Sequence, residues 1–275
     1  FFFHSEDGIR ASVASRGLGD VYKRQIKGGL FTKIVGRRLV FFREIPSTMD
    51  EAARLAMGTA TDGTVVVAET QTSGRGRFGR KWVSAMGNIY MSVVFRPTLD
   101  ALPYLSILAG VATIQAIRKT TGLEPKIKWP NDVMLGRKKV AGILVESVTE
   151  GDAVCYAVLG IGINVDLDPC RNEEIFGIAT SLEAVFGKPL VREDILRQLL
   201  QDMDSLYLKL IQGQTPVEEW KEMLETLGQN VQVSWRSDTY RGLAEGIDDV
   251  GNLELRLEDG RRVTMTAGGV TMRDI

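Results

Sequence analysis

A chain of 275 residues, 44% of them hydrophobic, is long enough to bury one large core, or a large core and a small one. Its 34 basic and 35 acidic residues nearly cancel, so no overall field gathers nucleic acid or a membrane surface, and no apolar run approaches the roughly 18 residues that span a bilayer. One histidine, His4, excludes His-based triads and His-rich zinc sites, and two isolated cysteines, Cys155 and Cys170, fit a reducing, cytoplasmic setting; any catalysis rests on Lys, Arg, Asp, Glu or a bound metal.

Residues 1–27 stand apart. The chain begins Phe1-Phe2-Phe3, its apolar residues follow no period, and no basic region precedes an apolar core as in a signal peptide. This stretch reads as a disordered or non-native tail, too short for a helix-turn-helix domain. From about Gly28 to residue 228 the pattern is that of one folded domain. Leu39-Val40-Phe41-Phe42 reads as a strand, and Thr48-Met49-Asp50-Glu51 is a capping box that predicts a helix through Met57, stopped at Gly58. Val65 to Ala68 is a short buried strand, Asn88 to Phe95 another, ended by Pro97. Leu102 to Thr121 is the clearest helix, with Leu105, Leu108, Ala109, Ala112 and Ala116 on one face and Gly122 as its stop.

Four strand-like segments then follow closely: Lys126 to Trp129, Val133 to Leu135, Val140 to Val148 and Val154 to Val165. Their succession predicts an antiparallel meander rather than alternating βαβ units. A long helix is expected from Glu193 to Gln212, and Thr215-Pro216-Val217-Glu218 is a second capping box, opening a short helix that Gly228 stops. From Asn230 the period changes to two, with turns at Gly251-Asn252 and Asp259-Gly260, which predicts about five short strands in residues 229–275. The fold expected is α+β: a mixed, largely antiparallel sheet with helices packed on it, plus a small C-terminal β-barrel leaning on the larger domain.

The chemistry concentrates in the connections. After the Val65 strand, Ser73 to Trp82 interleaves Gly74, Gly76 and Gly79 with Arg75, Arg77, Arg80 and Lys81, and closes on an indole. Glycine so dense disfavours regular structure, and four cations so close repel unless an anion sits among them, with phosphate best matched to guanidinium forks. A solvated basic loop is the alternative. Lys128-Trp129-Pro130-Asn131-Asp132 ends a strand in a turn; the Asn/Asp pair suits a magnesium ion beside phosphates, or a plain Asx turn. Gly142, inside an apolar strand that begins at a basic run ending in Lys139, marks a close approach of ligand or backbone. Gly160-Ile161-Gly162-Ile163-Asn164 repeats the feature with both glycines on one face. Two glycine-lined strands and a cationic loop outline a pocket floor that is neither a Rossmann fingerprint nor a P-loop.

Together these segments resemble the biotin protein ligase family. Its Gly-Arg-Gly-Arg-x-Gly-Arg-x-Trp stands in full at Gly74 to Trp82, followed in order by Lys-Trp-Pro-Asn-Asp at 128–132, Lys-x-Ala-Gly-Ile-Leu-Val-Glu at 139–146 and Gly-x-Gly-Ile-Asn at 160–164. The similarity runs from about Leu39 to the C-terminus and implies that the terminal barrel is SH3-like. It implies a ligase that makes biotinyl-5'-AMP from biotin and Mg-ATP and passes biotin to a lysine of a biotin carboxyl carrier protein, in a form without an N-terminal DNA-binding domain. A cytoplasmic enzyme with no nucleic-acid or membrane partner is expected, and a homodimer is left open. The resemblance assigns catalysis to Lys139, Arg75 and Arg77. It places biotin among Ser47, Thr48, Gln71, Arg75, Gly76, Arg77, Lys139, Gly142, Gly160 and Gly162. ATP falls to Arg77, Arg80, Trp82, Lys128, Asn131, Asp132 and Asn164, with Asp132 as the magnesium ligand. Met49 departs from the family's usual asparagine and cannot supply a side-chain amide. A lipoate-type acyl ligase and a biotin-responsive repressor are the alternatives.

Overall fold

A computed structural model describes residues 24–235 and 237–272. The tail read at residues 1–27 lies outside the described residues up to position 23. Residues 24–27 form a helical turn that buries Ile26 in the core, held by Arg197, whose guanidinium donates to the carbonyls of Gln25 at 2.6 Å and Ile26 at 3.3 Å.

The strands β1 (Leu39–Ile45), β2 (Thr64–Gln71), β3 (Ile89–Phe95), β4 (Lys126–Lys128), β5 (Asp132–Leu135), β6 (Lys138–Glu150) and β7 (Ala153–Ile163) form one sheet, in the order β1-β2-β3-β7-β6-β5-β4. Only β1 and β2 are parallel, because a crossover helix, α1 (Thr48–Ala56), joins them. β4 to β7 form the antiparallel meander that their short connections predict. The period of two divides β2 between the two faces of the sheet. Val66 packs with Val94 and Val158 beneath Ala52 and Leu55 of α1, while Val65 and Val67 join the larger core on the opposite face.

That larger core is built on α2 (Tyr104–Thr121) and α4 (Arg192–Ile211), which pack on each other. α2 is apolar nearly all round, as a helix buried between sheet and partner must be, and Gly122, at φ 73°, takes the left-handed conformation that ends it. Two shorter helices, α3 (Leu182–Phe186) and α5 (Val217–Glu222), complete the set.

Neither expected capping box forms. Ser47 is the last extended residue before α1, at φ −156° and ψ 133°, so its Oγ accepts from the Met49 amide at 3.2 Å and the cap falls one residue earlier. Glu51 pairs instead with Arg54. At α5, Pro216 already has a turn-like backbone and occupies the cap position, so the helix has no side-chain cap and Thr215 plays none.

The five C-terminal strands do form, as β8 (Asn230–Trp235), β9 (Asp238–Ile247), β10 (Leu253–Leu257), β11 (Arg262–Met265) and β12 (Gly269–Met272), in the order β11-β10-β9-β8-β12. They make an open antiparallel sheet, not the closed barrel expected. β11 and β12 are four residues each, and with β12 paired to β8 neither strand bridges the remaining gap. The sheet's inner residues, among them Val231, Val233, Leu253 and Leu255, run into the large core. A tryptophan fastens the two sheets: Trp129, 2% exposed, donates its Nε1–H to the Gly251 carbonyl at 2.9 Å and its amide to Thr226 Oγ1 at 2.9 Å.

On α4, the buried Asp204 carboxylate receives three consecutive amides, Lys33 at 2.7 Å, Ile34 at 2.7 Å and Val35 at 2.8 Å, and so fixes the segment before β1. Asp204→Asn keeps the shape but removes the charge and turns one acceptor into a donor that faces an amide. We predict a loss of about 1.5–3 kcal/mol in urea unfolding, the value of hydrogen bonds to a charged group. A loss under about 0.5 kcal/mol would show that the segment is held by packing alone.

Candidate functional site

β6 and β7 lie side by side with Gly142 directly opposite Gly162, and Gly160 two residues further along β7. A β-carbon at Gly162 would stand 2.6 Å from the Trp82 ring, one at Gly142 2.8 Å from the same ring, and one at Gly160 2.5 Å from Met49 Sδ. These glycines are therefore the surface on which two large side chains lie. The Met49 thioether, 5% exposed, fills the place above Gly160, a packing role that the missing amide did not reveal. Above this floor opens a cavity of about 810 Å³, within the range of ordinary ligand sites.

At one end the cavity is lined by a polar network. Gln71 Oε1 accepts from the Thr48 amide at 2.8 Å and from Thr48 Oγ1 at 3.1 Å, while Gln71 Nε2 donates to Ser84 Oγ at 3.0 Å. Ser92 Oγ donates to Thr48 Oγ1 at 2.8 Å. Ser47, Thr48 and Ser92 are all nearly fully buried. Sequence reasoning named Ser47, Thr48 and Gln71 but missed Ser84 and Ser92. The signal for Ser92 was available: it is the one small polar residue within the apolar run of β3.

The Arg/Gly loop is folded back over the floor. Gly76 donates to the Arg80 carbonyl at 2.7 Å and Trp82 to the Gly74 carbonyl at 2.9 Å, while Phe78, at φ 58°, and Gly79 turn the chain in the left-handed region. Three of its four cations, Arg75, Arg77 and Lys81, have partners within the protein. Arg75 engages Asp50 at 2.6 Å, Glu146 at 2.9 Å and Ser47 Oγ at 3.1 Å, and its guanidinium is raised above the ordinary value, first by the Glu146 hydrogen bonds. Arg77 donates to Asn131 Oδ1 at 3.2 Å and to the Gly268 carbonyl at 3.3 Å. Partial burial pulls the Arg77 guanidinium below its ordinary value; Asp132 opposes that shift and Arg80 adds to it. Such a charge gains from a second anion.

At the other end, Lys139 Nζ meets Asp132 Oδ1 at 2.5 Å and sits 5.1 Å above the Trp82 ring. Asn131 is held at both ends of its amide, since its Nδ2 donates to the Ile143 carbonyl at 2.5 Å. The peptide bond between Trp129 and Pro130 is cis. Asn164 is buried with its Nδ2 on the Thr180 carbonyl at 3.0 Å, so it ties the cavity wall together. Lys128 lines the cavity, and Arg80 reaches Gly269, whose β-carbon position is 3.8 Å from its Nη2. Every site residue named from the sequence thus borders one cavity. Gly268, Gly269 and Val270 of the C-terminal segment border it too, and nothing in the sequence foretold this. Among the described residues no group of three or more His, Cys, Asp or Glu is placed to hold a metal. One carboxylate, Asp132, beside one amide oxygen fits a magnesium ion that arrives on phosphates and keeps its waters.

Residues 41–164 match the family described as the Biotin/lipoate A/B protein ligase family, and residues 226–273 match the biotin protein ligase C terminal domain. The chain is 37% identical over 248 residues to the bifunctional ligase/repressor BirA of Bacillus subtilis, covering 88% of this chain and 76% of that protein. It is 34% identical over 230 residues to the biotin--[acetyl-CoA-carboxylase] ligase of Mycobacterium tuberculosis, covering 80% of this chain and 83% of that protein. Among solved structures, the biotin protein ligase of Aquifex aeolicus in complex with biotin and ATP superimposes with a TM-score of 0.72 at 30% identity, over 86% of this chain and 99% of that one.

The floor's geometry can be tested without any ligand. Trp82 Nε1 is buried without a hydrogen-bond partner, against Gly162. Gly162→Ala should leave the extended backbone of β7 intact and lift the indole, which is the movable partner in the clash. The Trp82 indole N–H resonance, identified through Trp82→Phe, is expected to shift, with far-UV circular dichroism unchanged. An unmoved resonance would show that the ring does not rest on this glycine.

Proposed function

Because this chain belongs to the biotin protein ligase family, we infer that it activates biotin with ATP as biotinyl-5'-AMP. It then transfers the biotinyl group to one lysine of a biotin carboxyl carrier protein. The observation that carries this reading is the placing of Arg77 and Lys139 in one cavity, between the glycine-floored slot with its Ser47–Thr48–Gln71 end and the Asn131–Asp132 turn. The slot suits an apolar acid with a polar head, and the turn suits a nucleotide. Lipoate is the rival acid; the biotin ligase name of the Mycobacterium tuberculosis relative and the biotin bound in the Aquifex aeolicus structure favour biotin.

The chemistry needs charge more than it needs a base. Biotin's carboxylate is already ionised at neutral pH and must approach an α-phosphate that is also anionic. Arg77 and Lys139, with Arg75 at the loop's base, cancel that repulsion and stabilise the charge that builds as the carboxylate oxygen attacks phosphorus and pyrophosphate departs. No histidine is required. Magnesium bound by Asp132 with Asn131 would add charge neutralisation at the phosphates. In the second step the carrier's lysine amine attacks the acyl carbon, AMP leaves and the nitrogen loses a proton. We assign biotin to Ser47, Thr48, Gln71, Gly76, Gly142, Gly160 and Gly162. We assign the nucleotide to Arg80, Trp82, Lys128, Asn131 and Asp132, with Asn164 holding the wall behind it.

The remaining assignments are coarser. Among the described residues no helix is long and apolar enough to cross a membrane, and we place the reaction in the cytoplasm, where ATP and carboxylases meet. From Leu144 onward β6 is paired only to β7, so its other edge is open; we propose it as the face for the carrier domain or for a second copy of the chain.

Biotin, ATP and a carrier domain probed with streptavidin should give a labelled carrier, and lipoate in place of biotin should release no pyrophosphate. An unlabelled carrier, where a known ligase labels it, would overturn the reading. Lys139→Ala should fold normally, its partly exposed ion pair with Asp132 contributing about 1 kcal/mol, yet release pyrophosphate roughly 10² to 10³ times more slowly. A rate within a few-fold of wild type would make Lys139 a solvated lysine. Arg77→Gly should form adenylate more slowly yet let it escape about ten- to a hundredfold faster, since one charge-assisted bond is worth about 1.5–3 kcal/mol. Serum albumin in the mixture is then labelled. A variant inactive on both carrier and albumin would confine Arg77 to the adenylation step and remove its retaining role.

A further inference from the structure

The polar network at the Ser47–Thr48–Gln71 end of the cavity runs in one direction only, because two of its groups have no choice of role. The Trp82 carbonyl can only accept. Ser84 therefore spends its one hydroxyl hydrogen there, at 3.2 Å, and must itself accept from Gln71 Nε2, at 3.0 Å. The Thr48 amide can only donate, and it holds Gln71 Oε1 at 2.8 Å. With both ends of the Gln71 amide assigned in this way, the Thr48 hydroxyl gives its hydrogen to the same Oε1 at 3.1 Å and accepts from Ser92 Oγ at 2.8 Å. Thr48 Oγ1 is left with a lone pair, and no hydrogen, to offer a group in the cavity.

The packing around the network makes room for it. Ser92 is fully buried on β3 between Met91 and Val93, directly opposite Gly160, where an unpaired hydroxyl would be costly. A β-carbon at Gly74 would stand 2.5 Å from Ser84 Oγ, 2.7 Å from the Trp82 carbonyl oxygen and 3.1 Å from Gln71 Nε2, so glycine at this position keeps open the place where the three groups meet. Thr48 and Gln71 border the cavity; the two serines stand behind them and do not.

We propose that Ser84 and Ser92 are positioning residues that fix the hydrogen-bond polarity of this end of the cavity. Acting through Gln71 and Thr48, they make Thr48 Oγ1 an obligate acceptor and so select an acid whose ring carries an N–H. A cyclic urea or amide meets that demand, whereas a dithiolane ring has no hydrogen to give. That the occupant is an acid at all rests on the ligase reading; the direction of the network does not.

The test compares the binding of biotin with that of its cyclic-carbonate analogue, in which an oxygen of nearly the same size replaces each ring N–H. Dissociation constants are measured by calorimetry on the wild type, Ser84→Ala and Ser92→Ala, with thermal melts to confirm folding. The wild type should bind the carbonate at least about tenfold more weakly than biotin, since a ring oxygen would face an acceptor. Each variant should bind biotin about three- to tenfold more weakly, the scale of one hydrogen bond, and the carbonate within about twofold of wild type, so that the preference shrinks. A serine with a merely structural role would weaken both ligands alike. That outcome, or a preference the variants leave unmoved, would overturn the inference while leaving the ligase reading intact. Should Ser92→Ala not fold, Ser92→Cys, which fills the site with a poor donor, is expected to show the same selective loss and decides in its place. A wild type that binds neither ligand would overturn the ligase reading and this inference with it.

Discussion

Two backbones without β-carbons make this site. Where Gly142 and Gly162 face each other across β6 and β7, the sheet is thin enough for the Trp82 indole to lie against it, and a methyl group on either would stand inside the ring's contact distance. The indole is the far end of the Arg/Gly loop. The loop's place over the sheet, Lys139's place above the ring and the shape of the cavity all follow from that contact. The sheet supplies the rigidity. Its middle strands are covered by α1 on one face and by α2 and α4 on the other, so the floor cannot flex to admit a larger side chain.

The cations follow a second constraint, which is that three of those at the cavity already have a counter-charge or acceptor within the protein. Arg75 has Asp50 and Glu146, Lys139 has Asp132, and Arg77 has an amide oxygen and a carbonyl. Of these three, Arg77 is the least well served, since its hydrogen-bond partners are neutral and its charge is partly taken from water. Where a guanidinium is half-desolvated and held only by dipoles, an arriving phosphate strengthens the site rather than competing with it. A preorganised set of this kind stabilises developing charge without rearranging, which is how a site lacking histidine can drive acyl–phosphate chemistry.

Much of this was legible in the sequence, because the relevant signals are local. The short apolar run Val65 to Ala68, period two in the C-terminal strands, the glycine stop of α2 and the glycine spacings of β6 and β7 each report the geometry of a few adjacent residues. What was illegible depends on distance along the chain. Glu146 lies 71 positions from Arg75, and Gly268 lies 191 from Arg77, so no spacing rule links them. The open C-terminal sheet was hidden for a related reason, because alternation identifies strands but says nothing of whether the outer two meet. The cap at Ser47 failed through degeneracy: serine and threonine are both good caps, and only the extended backbone after β1 decides between neighbours. Met49 was legible as a departure but not as a packing element, since its use depends on Gly160 from a distant strand.

The central claim is that one closed cavity makes an activated biotinyl group and keeps it until an acceptor lysine arrives. A single-turnover chase tests it most directly. The protein is incubated with radiolabelled biotin and ATP, stripped of free nucleotide and biotin by rapid gel filtration, and mixed with a carrier domain in the presence of a chelator and no ATP. The account predicts that label travels with the protein through the column and passes to the carrier in near-stoichiometric amount. Label lost on the column, or transfer only after fresh ATP is supplied, would contradict it.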